Sequence, residues 1–288
     1  MKNIYLLVAL LGSFQIDCYS QYFKSSDSTY YKDSIFTIPI LGEYIDEFEN
    51  GTIKSIRHFK NGKAHGEFLT FFENGKLNSK SNYENGREQG ECTLYLENGE
   101  TLYTINLSKG ELEGPYYLYY QNGRIYQSGN YLNGLNNGEW FEYFENGKIN
   151  YKINYKNGKQ EGESLAFYLN GQLKNKTFFK DGLLSGESIY YNEQGQLLNK
   201  LNYLNGVPSG EEVWFHPNGI ISKKRYYIDG KLNGEEISYF SNGKINYKKN
   251  YINGVLNGKC FYYLENGKKD CKEFYINGLE NKLRLSFR

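Results

Sequence analysis

Three glycines recur every 24 residues along this chain, and no other feature restricts its fold as much. One leads each copy, at Gly42, Gly66 and so on to Gly258. A second follows nine residues later, from Gly51 to Gly267, and a third eleven residues after that, from Gly62 to Gly278. Of the 32 glycines only Gly12 and Gly129 lie outside this lattice. A period this strict belongs to a repeat architecture, in which each unit is one supersecondary element stacked on its neighbours. The 288 residues therefore read as one elongated body rather than two domains joined by a linker.

The spacing of the glycines leaves no room for a helix between them. Tyrosine (30) and phenylalanine (18) are abundant, and aromatics between glycine punctuation favour strands. We count each repeat from its leading glycine as position 0. Positions 3, 5, 11 and 17 are mostly aliphatic or aromatic, for example Phe141, Tyr143, Ile149 and Tyr155 in the repeat led by Gly138. All four are odd, the period of two that puts side chains on one strand face. Each repeat is thus two short strands. Asn-Gly at positions 8 and 9 would suit a two-residue turn, but that turn sets position 5 opposite 12 and splits the apolar set. A three-residue loop closed by a glycine bulge sets 5 opposite 11 and 3 opposite 13, and this phase predicts one shared apolar face. The expected fold is all-β: an elongated, single-layer antiparallel sheet of tandem 24-residue β-hairpins. With strands about 4.8 Å apart, ten repeats would extend on the order of 95 Å.

The flanks read differently. Lys2 precedes an apolar run, Ile4–Phe14, too short to span a bilayer, and Cys18-Tyr19-Ser20 follows with small residues suited to cleavage. Residues 1–20 are expected to be a secretory signal peptide, the alternatives being a buried N-terminal strand or a lipid anchor on Cys18. Residues 21–41 read as a leader and N-terminal cap, 42–281 as the ten repeats, and 282–288 as a closing C-terminal strand. The expected location is outside the cytoplasm: periplasm, cell envelope or extracellular space. The three remaining cysteines, Cys92, Cys260 and Cys271, form no disulfide framework, although Cys260 and Cys271 share a repeat and could meet across its hairpin.

The repeat pattern G-E-x-x-x-Y-Y-x-N-G-K-[IL]-x(5)-Y-x-N-G resembles the MORN repeat, and in particular the bacterial variant of YwqK-type antitoxin-like proteins. Gly138-Glu139, Tyr143-Phe144, Asn146-Gly147-Lys148, Tyr155 and Asn157-Gly158 carry the match. The resemblance implies a sheet of hairpins used for protein contacts and sometimes for lipid contact.

The search for chemistry gives little. Net charge is +1, with 34 basic and 33 acidic residues evenly spread, so no field attracts nucleic acid. His58, His65 and His216 have no ligand-spaced partners, and the glutamates at position 1 stand about 10 Å apart, too far to share an ion. No nucleophile has a triad, and no glycine cradle opens a helix. The expectation is therefore no catalytic residues, no metal, no cofactor and no enzymatic activity. Aromatics at position 6, namely Phe72, Tyr120, Phe144, Tyr168 and Phe240, fall on the face opposite the apolar set and are the candidate binding surface. The expected function is that of an exported protein-binding or scaffold module, with a membrane-surface or glycan-binding module as the alternative.

Overall fold

The structure is a computed structural model describing residues 39–281, together with the backbone of Phe23–Lys24, Tyr30–Tyr31 and Leu285–Ser286. The expected signal peptide and the strand expected just before Pro39 lie outside the described residues, as does the remainder of 282–288. Among the described residues every regular element is a strand and none is a helix. The chain divides into two compact units: Met1–Gly99 with Leu107–Gly110, and Glu100–Asn106 with Glu111–Arg288. Each is an antiparallel meander of hairpins in a single layer.

Every repeat closes two different turns. At the first, the Phe144 amide donates to the Lys148 carbonyl (2.8 Å) and the Gly147 amide donates to the Phe144 carbonyl (2.8 Å). This is the expected three-residue loop, with Gly147 at φ 86°. The second turn is the two-residue type: Lys156 pairs with Lys159, and Asn157 and Gly158 both take positive φ (49° and 76°). The residue before each closing glycine, an Asn, Asp or Lys, holds φ between 48° and 53° throughout. Asn and Asp tolerate this left-handed region better than other side-chain-bearing residues.

One residue beyond the first turn the structure departs from the expected register. Tyr143 faces Ile149 as expected, but Glu142 faces Tyr151 and Phe141 faces Lys152. Asn150, at position 12, is an extra unpaired residue, and its amide is held by the Glu142 carboxylate (2.6 Å). The same shift recurs in the other repeats, for example between Thr70 and Phe71 and between Tyr190 and Tyr191. This second bulge moves every residue from 13 onward to the other face. The single apolar face expected from positions 3, 5, 11 and 17 is therefore corrected. Positions 3, 5 and 11 share one face, whereas position 17 lies on the other with positions 2, 4, 13 and 15.

The two faces differ chemically. Positions 1 and 14 join across the first: Lys80–Glu67 (2.6 Å) in the first unit, and Lys152–Glu139 (2.5 Å), Lys224–Glu211 and Lys248–Glu235 (both 3.5 Å) in the second. Such exposed pairs contribute little to stability. We call this the ion-pair face. The opposite, aromatic face carries the core. In the first unit Ile40 and Phe59 are buried against Tyr44 and Phe68, and rings follow one another from Tyr44 to Phe59, Phe68 and Tyr83 at 4.3–5.7 Å. In the second, Trp140 stacks on Tyr116 at 5.4 Å and meets Tyr131 and Tyr155 edge-on. The glycine at position 0 faces each position-17 ring, as Gly138 faces Tyr155. Rings thus bury one another along the sheet, which supplies a core without a second layer.

Further along the second unit the same row turns ionic. Glu212 and Glu236 are buried, and Arg225 contacts both. Tyr247 donates to Glu236 (3.0 Å), and Lys249 lies over the Tyr247 and Tyr262 rings. Burial first, then the Glu236 charge, pushes the Tyr247 phenol up to about 12, and burial raises Tyr116 and Tyr262 as well. These phenols are raised above the unfolded value of 10, so their contribution is complete below pH 10 and is lost as pH climbs through the folded values. Titrated with base, the protein should stay folded past pH 10 and lose its strand signal towards pH 12 and above, with a last step of tyrosinate absorbance that coincides with unfolding. Tyrosinate absorbance that is complete before the strand signal falls would contradict this account.

Candidate functional site

The five aromatics expected to form a binding surface stand at the entry to the first turn, and all are half-buried. The structure uses them between repeats. The Tyr120 hydroxyl donates to the Tyr143 carbonyl of the next repeat (2.6 Å), and the Tyr168 hydroxyl donates to that of Tyr191 (2.8 Å). His216 occupies the same position and its Nε2 donates to the Tyr239 carbonyl (2.8 Å), since a carbonyl can only accept. His58 replaces an asparagine: its Nδ1 bonds the Glu67 carbonyl (2.8 Å) as Asn154 bonds that of Glu163 (3.0 Å). Phe72, Phe144 and Phe240 have no polar group to contribute and sit in the row as apolar cover. A shallow hollow beside Tyr168, Leu169, Asn170 and Glu193 opens on this edge.

The Asn-Gly-Lys signature of the first turn is used in the same way. The Asn146 side chain accepts from the Lys148 amide (3.0 Å), which fixes the loop, and Lys148 Nζ reaches the Asn170 carbonyl of the next repeat (3.3 Å). Asn170 in turn donates to the Glu193 carbonyl (2.8 Å). This edge is a ladder linking each repeat to its successor, so its recurring residues reflect stacking.

Cys92 and Cys260 have little nucleophilic character. Burial, reinforced by Glu88 and Glu91, pushes Cys92 up to about 12, and burial raises Cys260. Cys260 faces Glu273 and Cys271 faces Tyr262, which makes the two thiols diagonal neighbours on the aromatic face. Among the described residues no group of three or more His, Cys, Asp or Glu side chains is placed to hold a metal ion.

A different surface emerges at the opposite edge. Positions 18 and 21 flank each two-residue turn and face one another. In the second unit four of these pairs are wholly aliphatic: Leu132–Leu135, Leu204–Val207, Ile252–Val255 and Ile276–Leu279. Leu183 and Ile228 face lysines in two more. All ten aliphatic side chains are exposed, from 42% at Leu132 to 76% at Leu279. Each position-21 side chain leans over the next turn, as Leu135 does over Gly158. In the first unit the same positions are charged, with Lys60 facing Lys63 and Glu84 facing Arg87. Sequence reasoning passed over this ridge because it weighed only positions 3, 5, 11 and 17 as the apolar set. The available signal was the recurrence of aliphatics on both sides of Asn-Gly, where turns normally carry polar residues.

The pattern of paired turns and 24-residue hairpins agrees with a family profile, the MORN repeat variant. It matches eight spans, residues 40–61, 64–85, 112–133, 136–157, 160–181, 184–205, 208–229 and 232–253. The chain belongs to this MORN repeat variant family. Residues 86–111 fall between matched spans; there Lys109 replaces the turn asparagine and Glu100 replaces the turn lysine, yet the strands continue. No curated protein matches the chain. Among solved structures it is similar to a TcdB2-TccC3-Cdc42 complex (12% identity, 85% of this chain, 15% of that chain, TM-score 0.20). It is also similar to the Tc holotoxin pore of Photorhabdus luminescens (12% identity, 81% and 14%, TM-score 0.21). Choline binding protein F of Streptococcus pneumoniae is a third (14% identity, 82% and 89%, TM-score 0.19). The chain spans about one seventh of the toxin chains it matches.

Proposed function

We propose that this MORN repeat variant protein is a non-catalytic, exported scaffold that binds a protein along the ridge of its second unit. The observation that carries this reading is the row of exposed aliphatics, which recurs at six of the seven turns of that edge but has charged counterparts in the first unit. Large apolar patches on a soluble surface mark contact sites. Cys92 and Cys260, raised by burial, and His58 and His216, engaged with backbone carbonyls, support a role without chemistry. The apolar segment at Ile4–Phe14 supports export.

A second reading, contact with an anionic membrane surface, draws on Lys156, Lys159, Lys180 and Lys231, which interrupt the aliphatics on the same edge. Cross-linking in the native envelope, comparing the natural protein with a Leu204→Glu, Ile252→Glu variant, separates the two. Recovery of a specific protein adduct that the variant loses is the expected result. Recovery of lipid adducts alone, or of the same protein adducts from both forms, would remove the protein-binding reading.

A further inference from the structure

We infer that Lys259, Lys269 and Lys272 form an anion site on the ion-pair face of the last repeat, suited to a compact oxyanion of the phosphate class. The site goes beyond the binding reading above, since it lies on a face and in a repeat that the ridge does not need.

In the repeats before it this face neutralises itself. Lys152, Lys176, Lys200, Lys224 and Lys248, all at position 14, each pair with the glutamate at position 1 of the same repeat. The repeat led by Gly258 keeps the lysine, as Lys272, but carries Lys259 in place of the glutamate. It also carries Lys269 at position 11, which is isoleucine, leucine or threonine in every other repeat. Both departures add a positive charge to the same face.

The register gathers the three lysines around one ring. Phe261, at position 3, faces Lys272 across one strand pair and Lys248 across the other, and Tyr263 faces Lys269. The ammonium groups of Lys269 and Lys272 stand 5.2 and 5.8 Å from the centre of the Phe261 ring. Lys259 precedes that ring by two residues on the same strand, and therefore on the same face. An aromatic ring attracts each ammonium through its quadrupole but has no net charge, so it collects like charges without neutralising them.

The nearby carboxylates are engaged or placed elsewhere. Glu235 is paired with Lys248 (3.5 Å), and Glu273 belongs to the aromatic face, where the Tyr275 hydroxyl donates to it (3.1 Å). Glu265 lies in the first turn, and Asp270 occupies the bulge at position 12. Among the described residues none of the three lysines forms an ion pair with a carboxylate, and Lys259 and Lys269 are exposed. A lysine ammonium is a compact point charge with three N–H donors, which suits the oxygens of a phosphate group. A single carboxylate would answer one of the three charges, whereas a multiply charged oxyanion answers most of them from one centre.

Calorimetric titration of the full chain with inorganic diphosphate tests the proposal. The natural protein should bind it saturably. Lys259→Glu restores the pair made in the preceding repeats, so strand content should be kept, as circular dichroism checks, while affinity falls about tenfold or more. Lys269→Ile copies the residue usual at position 11 and should weaken binding about threefold. Lys152→Gln removes the same net charge from a lysine that is already paired, and should leave binding unchanged. Phosphatidylcholine vesicles with and without phosphatidic acid distinguish a lipid phosphate from a soluble one. Capture by the acidic vesicles that Lys259→Glu abolishes, or saturable binding of free diphosphate alone, would each support the site. Absence of both, or binding that Lys259→Glu leaves unchanged, would overturn it. So would an equal loss in Lys152→Gln and Lys269→Ile, because net charge alone would then account for the affinity.

Discussion

Replacing Gly129 by alanine should destabilise the second unit by about 3 kcal/mol, far more than an alanine normally costs a strand. Gly129 is the one glycine within the repeats that falls outside the 24-residue lattice, and its φ is ordinary, so backbone freedom does not explain it. Packing does. A Cβ at this position would stand 2.2 Å from Trp140 Cδ2 and 2.3 Å from Cε2. The indole cannot retreat, because Tyr116 is stacked on it, Tyr131 and Tyr155 meet it edge-on, and its Nε1 donates to the Asn130 carbonyl (3.2 Å). In the repeat led by Gly138 the same position holds Ile153, so a large side chain is acceptable there when the neighbour in the next repeat is small. Ile153 faces Ser164. A Gly129→Ile, Trp140→Ser double variant, which copies that pair, should recover most of the stability lost by Gly129→Ala. Urea unfolding followed by tryptophan fluorescence and far-ultraviolet circular dichroism checks the single variant, and circular dichroism alone checks the double. An unchanged midpoint for Gly129→Ala would show that the ring is not confined.

Arg225→Met should cost a similar amount for a different reason. The arginine contacts Glu212 and Glu236, both buried, and also lies over the Tyr227 ring at 5.4 Å. Burial opposes its charge, but the hydrogen bond and charge of Glu212 outweigh that and hold its pKa above the ordinary value. Removing it leaves two carboxylates without their shared counter-charge in a site largely closed to water, a loss of about 3 kcal/mol. Converting all three residues to apolar ones of similar size should return stability to within about 1 kcal/mol of the natural protein, since a buried ion cluster and a packed apolar one are often nearly equivalent. Urea unfolding of both variants gives the comparison. Equal losses in the single and triple variants would mean that the site depends on its shape rather than on charge balance.

The legible part of this fold was whatever every repeat shares. Glycines at fixed spacing gave the period, odd-numbered apolar positions gave strands, and the phase of positions 5 and 11 gave the three-residue loop. The extra bulge at position 12 was hidden because an unpaired residue carries no fixed chemistry: Asn150 fills it in one repeat and Leu198 in another. Its consequence, burial of positions 2, 4, 13 and 15, was hidden for the same reason. Position 2 is Trp140 in one repeat, Ser188 in another and Glu212 in the next, and averaging over such a row gives a position that looks polar. The candidate surface failed to stand out for the opposite reason. Position 6 drew attention because it was regular, and its regularity reflects bonds such as Tyr120 to Tyr143. The ridge is less regular and confined to one unit, and nothing inside the repeat requires it.

That irregular row also addresses a problem peculiar to near-identical repeats. Hairpins with the same turns and the same edge ladders can join out of order, skipping a repeat or pairing with one from another molecule, at little loss in backbone hydrogen bonding. What tells them apart is the sequence of mismatched neighbours on the aromatic face. A bulky indole fits over Gly129 but leaves no room for a Cβ there, and Arg225 is needed between two glutamates but would be unpaired beside Ser164. Each junction thus carries its own address. The row that looks least like a motif is what makes one ordering of ten similar hairpins more stable than the others.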